Sequence, residues 1–137
     1  MSNPTMERYE ALLQEAKRLR SSAGVLAAQQ VATSIRQQSP SARWLASDVS
    51  GGDVDWYDIH DETGAVVAEE CRVDSELVLA IVDADLTVLD DHDAQVLDLD
   101  RALSVDEADV EAGAFLGHDW TYSSMPELNR QGVARRP

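Results

Sequence analysis

Each of the three histidines precedes an aspartate, as His60-Asp61, His92-Asp93 and His118-Asp119. Imidazole and carboxylate are the ligand types of metal-dependent hydrolases, in which several such groups converge on one ion. Nothing in the spacing of these pairs enforces convergence: His60 falls near an expected hairpin turn and His118 follows an expected helix stop. With 16 aspartates in 137 residues the dipeptide also arises easily by composition. Asp83-x-Asp85-x-Thr87 imitates the opening of a calcium-binding loop and then departs from it, because Val88 stands where glycine is needed and Ala94 where the bidentate glutamate is needed. Asp90, Asp91 and Asp93 could condense a hard cation at a helix end without forming a dedicated site. Cys71 is the single cysteine and has no histidine near it in sequence, and no serine sits in a Gly-x-Ser-x-Gly turn. Neither a Gly-x-Gly-x-x-Gly nor a P-loop occurs. The expectation is a protein with no catalytic residue, no metal ligand and no cofactor.

Charge is the stronger signal. Residues 1–43 sum to +3, residues 44–127 to −21 and residues 128–137 to +3, so the net charge of −15 belongs to one central block interrupted only by Arg72 and Arg101. At 0.15 M ionic strength the Debye length is about 8 Å, so neighbouring carboxylates on a small surface still repel one another. Packing, bound cations, the basic ends of the chain or a basic partner must offset that repulsion. Carboxylates at i, i+3 and i+4 on a helix make a rigid row of negative charge, and Asp83 with Asp90 or Asp106 with Asp109 are spaced for it. The expected role is therefore that of a non-enzymatic interaction protein docking on a basic surface, one that otherwise binds DNA or RNA being a suitable partner. Its contact residues would be Asp83, Asp90, Asp91, Asp93, Asp98, Asp100, Asp106 and Asp109, with Trp56 or Trp120 as an apolar anchor. Direct nucleic-acid binding is opposed by the same charge. Two rival expectations are a scaffold protein acidified for a salt-rich cytoplasm, which suits Asp over Glu with a single lysine (Lys17), and a small metal-dependent hydrolase built on the His-Asp pairs.

The elements that would carry these residues are read from periodicity. Met6, Tyr9, Leu12, Leu13, Ala16, Leu19, Ala23, Leu26, Ala27, Val31 and Ile35 recur at steps of three and four, which predicts a helix over about 6–38. Asn3 or Thr5 can cap it, Pro4 suits its first turn and Pro40 ends it. Ser21, Ser22 and Gly24 predict a kink that shortens the rod, the alternative being a protruding helix whose stripe meets a second copy as a homodimer. From Ala42 the period is two. A hairpin turning at Gly51-Gly52 pairs Trp44 with Ile59 and Ala46 with Tyr57, and a bulged loop over 61–65 sets Val67 opposite Ile59, giving a three-stranded antiparallel meander. Arg43, Ser47, Trp56, Asp58 and His60 fall on the other, polar face.

Residues 76–90 and 94–103 read as acidic helices, although Asp85 violates the first pattern and Asp98 with Asp100 also permit a strand in the second. Ser104-Val105-Asp106-Glu107 matches a capping box for a helix ending at Gly117. The fold class expected is α+β, with a long N-terminal helix, a three-stranded meander and two or three short acidic helices. One domain would span 1–122, followed by a basic, disordered tail over 123–137. The longest apolar run, residues 77–82, is far short of the ~20 residues of a membrane span, and the first ten residues do not read as a secretory signal. The cytoplasm is the expected location.

Overall fold

The computed structural model of the chain describes residues 3–50, 52–67, 71–90, 93–112 and 125–128. The first element is a helix, α1 (Pro4–Gln38), begun as its sequence suggests: Asn3 Oδ1 accepts from the Thr5 N–H at 2.9 Å, and Pro4 occupies a first-turn position that lacks an intrahelical donor bond in any case. Ser39 caps the other end in extended conformation just before Pro40, donating its N–H to Ile35 O at 2.7 Å. The 35 residues make a rod about 50 Å long at ~1.5 Å each.

The helix is continuous through Ser21, Ser22 and Gly24, where the sequence pattern predicts a kink. No break falls there, and these small residues serve contact. Gly24 sits where α1 meets α2 (Ser75–Asp83), and a Cβ there would stand 2.3 Å from Ala84 Cβ and 3.2 Å from the Ala80 carbonyl oxygen. Ser22 Oγ donates to Val110 O at 2.7 Å. Packing uses only the later half of the helix, where Val25, Ala28, Val31, Ala32 and Ile35 are buried. Residues 4–20 are exposed apart from the half-buried Arg18.

A four-stranded antiparallel sheet lies against this face, formed by β1 (Ala42–Ser50), β2 (Asp53–Asp61), β3 (Val88–Leu89) and β4 (Gln95–Asp98) in the order β2-β1-β4-β3. The described chain ends its regular structure with two short helices, α3 (Leu99–Leu103) and α4 (Glu107–Ala112). The α+β class stands, with differences in detail. The third strand of the expected meander contracts to a single bridge between His60 and Val66. Its loop forms as expected, with Gly64 at φ +93° and the Val67 N–H donating to Ile59 O at 2.9 Å. The neighbour of β1 on its far side is β4, from the segment expected as helix, and alternation around Asp98 was its signal.

Pairing across the first hairpin differs by one residue from the expectation. Next to the turn, Ser50 faces Asp53 and Val49 faces Val54, the predicted register. Asp55 is then an extra residue, and beyond it Asp48 faces Trp56, Ala46 faces Asp58, Leu45 faces Ile59 and Trp44 faces His60. One inserted residue exchanges the faces of the strand. Leu45, Ile59, Val54 and Leu97 thus join α1 and α2 in the main core, while Trp44, Ala46, Val96 and Ala94 form a second cluster on the opposite face with Leu128. That face is covered, so β1 is buried on both sides. Leu128 is 5% exposed, which joins at least part of 125–128, within the expected tail, to the packed domain; residues 129–137 lie outside the described residues.

Two helix expectations also change. The first acidic helix stops at Asp83 instead of about 90, because Asp85 takes a left-handed φ of +57° and Leu86 is drawn into the core at 2% exposure. Asp85 is the residue that broke the helical pattern. Ser104 ends α3 instead of capping α4: its N–H donates to Asp100 O at 3.0 Å and its Oγ to Arg101 O at 2.8 Å. Asp106 opens α4, its carbonyl accepting from the Val110 N–H at 3.2 Å. The Gly117 stop lies outside the described residues.

Candidate functional site

The expected contact residues fall into groups that the chain treats differently. Asp98 is turned inward. As N-cap of α3 its Oδ1 accepts from the backbone N–H groups of Asp100 and Arg101 at 3.0 and 3.3 Å. The same carboxylate takes a two-pronged contact from Arg43, Nε to Oδ1 at 2.9 Å and Nη2 to Oδ2 at 3.1 Å. Asp98 is only 7% exposed, so it is a structural carboxylate with no surface to offer a partner. Asp100 is exposed but occupied, with Arg43 Nη1 at 3.2 Å from Oδ2 and the Arg36 guanidinium on its other oxygen.

Arg43 reaches these groups because β1 is irregular there. Ala42 faces Asp61 and Trp44 faces His60, leaving Arg43 as a bulged residue whose side chain is re-aimed toward the β4–α3 junction. Hydrogen bonding to the Asp98 carboxylate, with the charges of Asp98 and Asp100, raises the Arg43 pKa above its ordinary value. Its guanidinium carbon also lies 4.7 Å from the centre of the Trp44 ring. An open cleft beside this network is lined by Arg36, Pro40, Arg43, Asp61, Glu62 and Asp100. Both of its guanidiniums already hold internal carboxylates, which leaves an anion little uncompensated charge to bind.

The remaining aspartates do not share one helix. Asp83 is the last residue of α2, whereas Asp90 and Asp93 sit in the β3–β4 hairpin loop, where Asp90 Oδ1 accepts from the Ala94 N–H at 3.0 Å and Asp93 has φ +61°. The helical row joining Asp83 to Asp90 therefore does not form, and the helix end at which Asp90 and Asp93 could gather a cation is a turn. Asp106 is exposed at the start of α4; Asp109 lies on α4, and its side chain is outside the described residues. Asp91 and Trp120 are also outside them. Trp56 is half-buried and packs on the Trp44 cluster beside Met125, so much of its ring is already covered.

Of the His-Asp pairs, His92 and His118-Asp119 lie outside the described residues, and His60-Asp61 has other work. His60 is fully buried, and its Nδ1 lies 2.9 Å from the Gly64 carbonyl oxygen. A carbonyl only accepts, so Nδ1 carries the proton in this contact. Asp61 Oδ1 closes the same loop, accepting from Thr63 Oγ1 at 2.6 Å and from the N–H groups of Thr63 and Ala65 at 2.9 and 3.1 Å. The Thr63 hydroxyl, aided by these backbone donors, lowers the Asp61 pKa below the usual carboxylate value. Cys71 is buried at 3% exposure, and its carbonyl accepts from the Tyr57 hydroxyl at 2.9 Å.

No similar protein accounts for this arrangement. No family model matches the chain, and comparison with curated proteins and with solved structures finds no match. Among the described residues, ion pairs engage Glu15, Asp98 and Asp100, while Glu76, Asp83, Asp85 and Asp93 are exposed and join none of these pairs. No helix among the described residues is long and apolar enough to cross a membrane.

Proposed function

We propose that the chain is a non-enzymatic interaction protein whose exposed carboxylates dock on a basic surface, such as that of a nucleic-acid-binding protein. The supporting observation is the division of labour among its acidic groups. Arg36 and Arg43 are committed to Asp98 and Asp100 at the β4–α3 junction, and Asp83, Asp85 and Asp93 are exposed and take part in no ion pair among the described residues. Carboxylates held on a folded scaffold interact with a partner's Lys and Arg without first breaking internal pairs, and they accelerate encounter more than they deepen binding. Asp90, Asp91, Asp106 and Asp109 extend the proposed contact set along the same part of the chain; Asp98 and Asp100, paired with Arg43 and Arg36, leave it. Trp56 and Trp120 remain the proposed apolar contributors.

The test is binding of a lysine-rich polypeptide followed by surface plasmon resonance between 50 and 500 mM NaCl (about 14 to 4 Å of screening). Replacing Asp83, Asp85, Asp90 and Asp93 by asparagine should weaken binding at low salt by on the order of tenfold, since each rim charge contributes about 0.2–1 kcal/mol. The same number of replacements at Asp53, Asp55, Glu62 and Asp74 should weaken it clearly less. Equal losses from both sets would reduce the effect to net charge and overturn the assignment of a contact set. Binding unchanged between the two salt limits would remove its electrostatic basis.

A further inference from the structure

The long helix carries two apolar stripes, and the domain uses one. Val25, Ala28, Val31, Ala32 and Ile35 form the buried stripe. The second consists of Tyr9, Leu12, Ala16, Leu19, Ala23 and Leu26, all exposed, with Tyr9 at 57%, Leu12 at 62%, Leu19 at 53% and Leu26 at 54%. Its steps alternate three and four without exception, a repeat of 3.5 residues, which is the spacing of a seam between two helices wound around each other. The last two seam positions overlap the packed half of α1, yet Leu26 points away from the core that takes its neighbours Val25 and Ala27.

We infer that this seam is the interface of an antiparallel homodimer in which α1 of one copy lies along α1 of a second copy. Size is the first argument. The exposed parts of Tyr9, Leu12, Leu19 and Leu26, with those of the flanking Met6 and Leu13, amount to about three whole side chains per copy. That is on the order of 1,000 Å² across the pair at roughly 150–200 Å² for each large side chain, which reaches the threshold of about 1,000 Å² for a specific interface before the stems of the flanking Arg8 and Arg20 are added.

Shape decides the orientation. With the two-fold axis between Lys17 and Arg18, the antiparallel layers are Tyr9 on Leu26, Leu12 on Ala23 and Ala16 on Leu19, so each alanine receives a leucine. A parallel pair would stack Ala16 on Ala16 and Ala23 on Ala23, leaving voids beside crowded leucine layers. Charge agrees with shape. The antiparallel pair sends the two acidic bodies to opposite ends and places Lys17, Arg18 and Arg20 of both copies between them, whereas the parallel pair sets two blocks of −21 side by side.

Sedimentation equilibrium of the full chain at about 50 µM in 0.15 M NaCl should give twice the chain mass. Leu12→Glu with Leu19→Glu should give the single-chain mass with an unchanged circular dichroism spectrum, because both side chains are exposed in the isolated fold. Orientation is read by oxidation: a mixture of Leu12→Cys and Ala23→Cys chains should form a mixed disulfide, and neither chain alone should crosslink efficiently. A wild-type chain of single mass at this concentration overturns the proposal. So does a dimer indifferent to the double glutamate variant, or self-crosslinking of Leu12→Cys, which would mark a parallel pair.

Discussion

Replacing Gly24 by alanine sets two well-known effects against each other. On an isolated helix the change is favourable by about 1 kcal/mol, because glycine is the costlier residue inside a helix. In this fold the new Cβ would lie 2.3 Å from Ala84 Cβ, where non-bonded carbons sit about 3.5–4.0 Å apart, so α1 and α2 must separate by more than 1 Å at their closest point. The backbone oxygen of Ala80 at 3.2 Å and Leu86 Cδ1 at 3.4 Å restrict the escape routes. Overpacking of this kind costs about 1–3 kcal/mol, and when the site cannot give way the upper part of that range applies. The net expectation is a loss of about 1–2 kcal/mol, or a fall in Tm of several degrees for a domain of this size. Urea unfolding followed by circular dichroism measures it directly. The partner variant Ala84→Gly removes the opposing atom, so adding it to Gly24→Ala should recover a large part of the loss, a coupling that distant pairs do not show. A Gly24→Ala protein more stable than wild type would mean that the close crossing of the two helices is not there.

Removing the Asp98 carboxylate as Asp98→Ala deletes a helix cap and takes from Arg43 its two-pronged partner, leaving it Asp100 alone, with an expected cost of about 2–3 kcal/mol in urea unfolding. Asp98→Asn retains an acceptor for the α3 N–H groups and should cost clearly less. Asp61, whose pKa is lowered in the fold, contributes stability that is present above its unfolded-state pKa of about 4 and fades as pH falls through the lower folded value. Melting curves from pH 7 to pH 2.5 should therefore show a smaller acid-induced drop for Asp61→Ala than for wild type.

The parts of the fold set by near neighbours were legible in the sequence. Asn3, Pro4 and Pro40 bounded α1 because capping and proline sterics act within a turn, and Gly64 announced the loop that returns Val67 to Ile59. Asp85 signalled the end of α2 by failing the helical pattern. What stayed hidden depended on distant partners. The role of Gly24 requires Ala84, sixty residues away, and without it a glycine beside two serines reads as a weak point. The bulge at Asp55 leaves no local mark, so simple alternation puts Trp44 on the face that belongs to Leu45. Among the acidic residues, composition distinguishes none. Asp98 differs from Asp93 because it caps α3 and because a bulge aims Arg43, fifty-five positions earlier in the chain, at it.

The bulge at Asp55 has a consequence for the life of the protein in a crowded solution. β2 lies at the outer rim of the sheet, and among the described residues its far side is engaged only near its end, by the 65–67 segment. A straight rim of this kind invites another molecule to add its own strand, the first step toward fibrous aggregates. Here the inserted residue twists the rim, and Asp53 and Asp55 place carboxylates along it. An incoming backbone meets a bent, negatively charged ribbon that offers poor continuation, so the distortion that moved Trp44 to the second face also keeps the sheet closed to strangers.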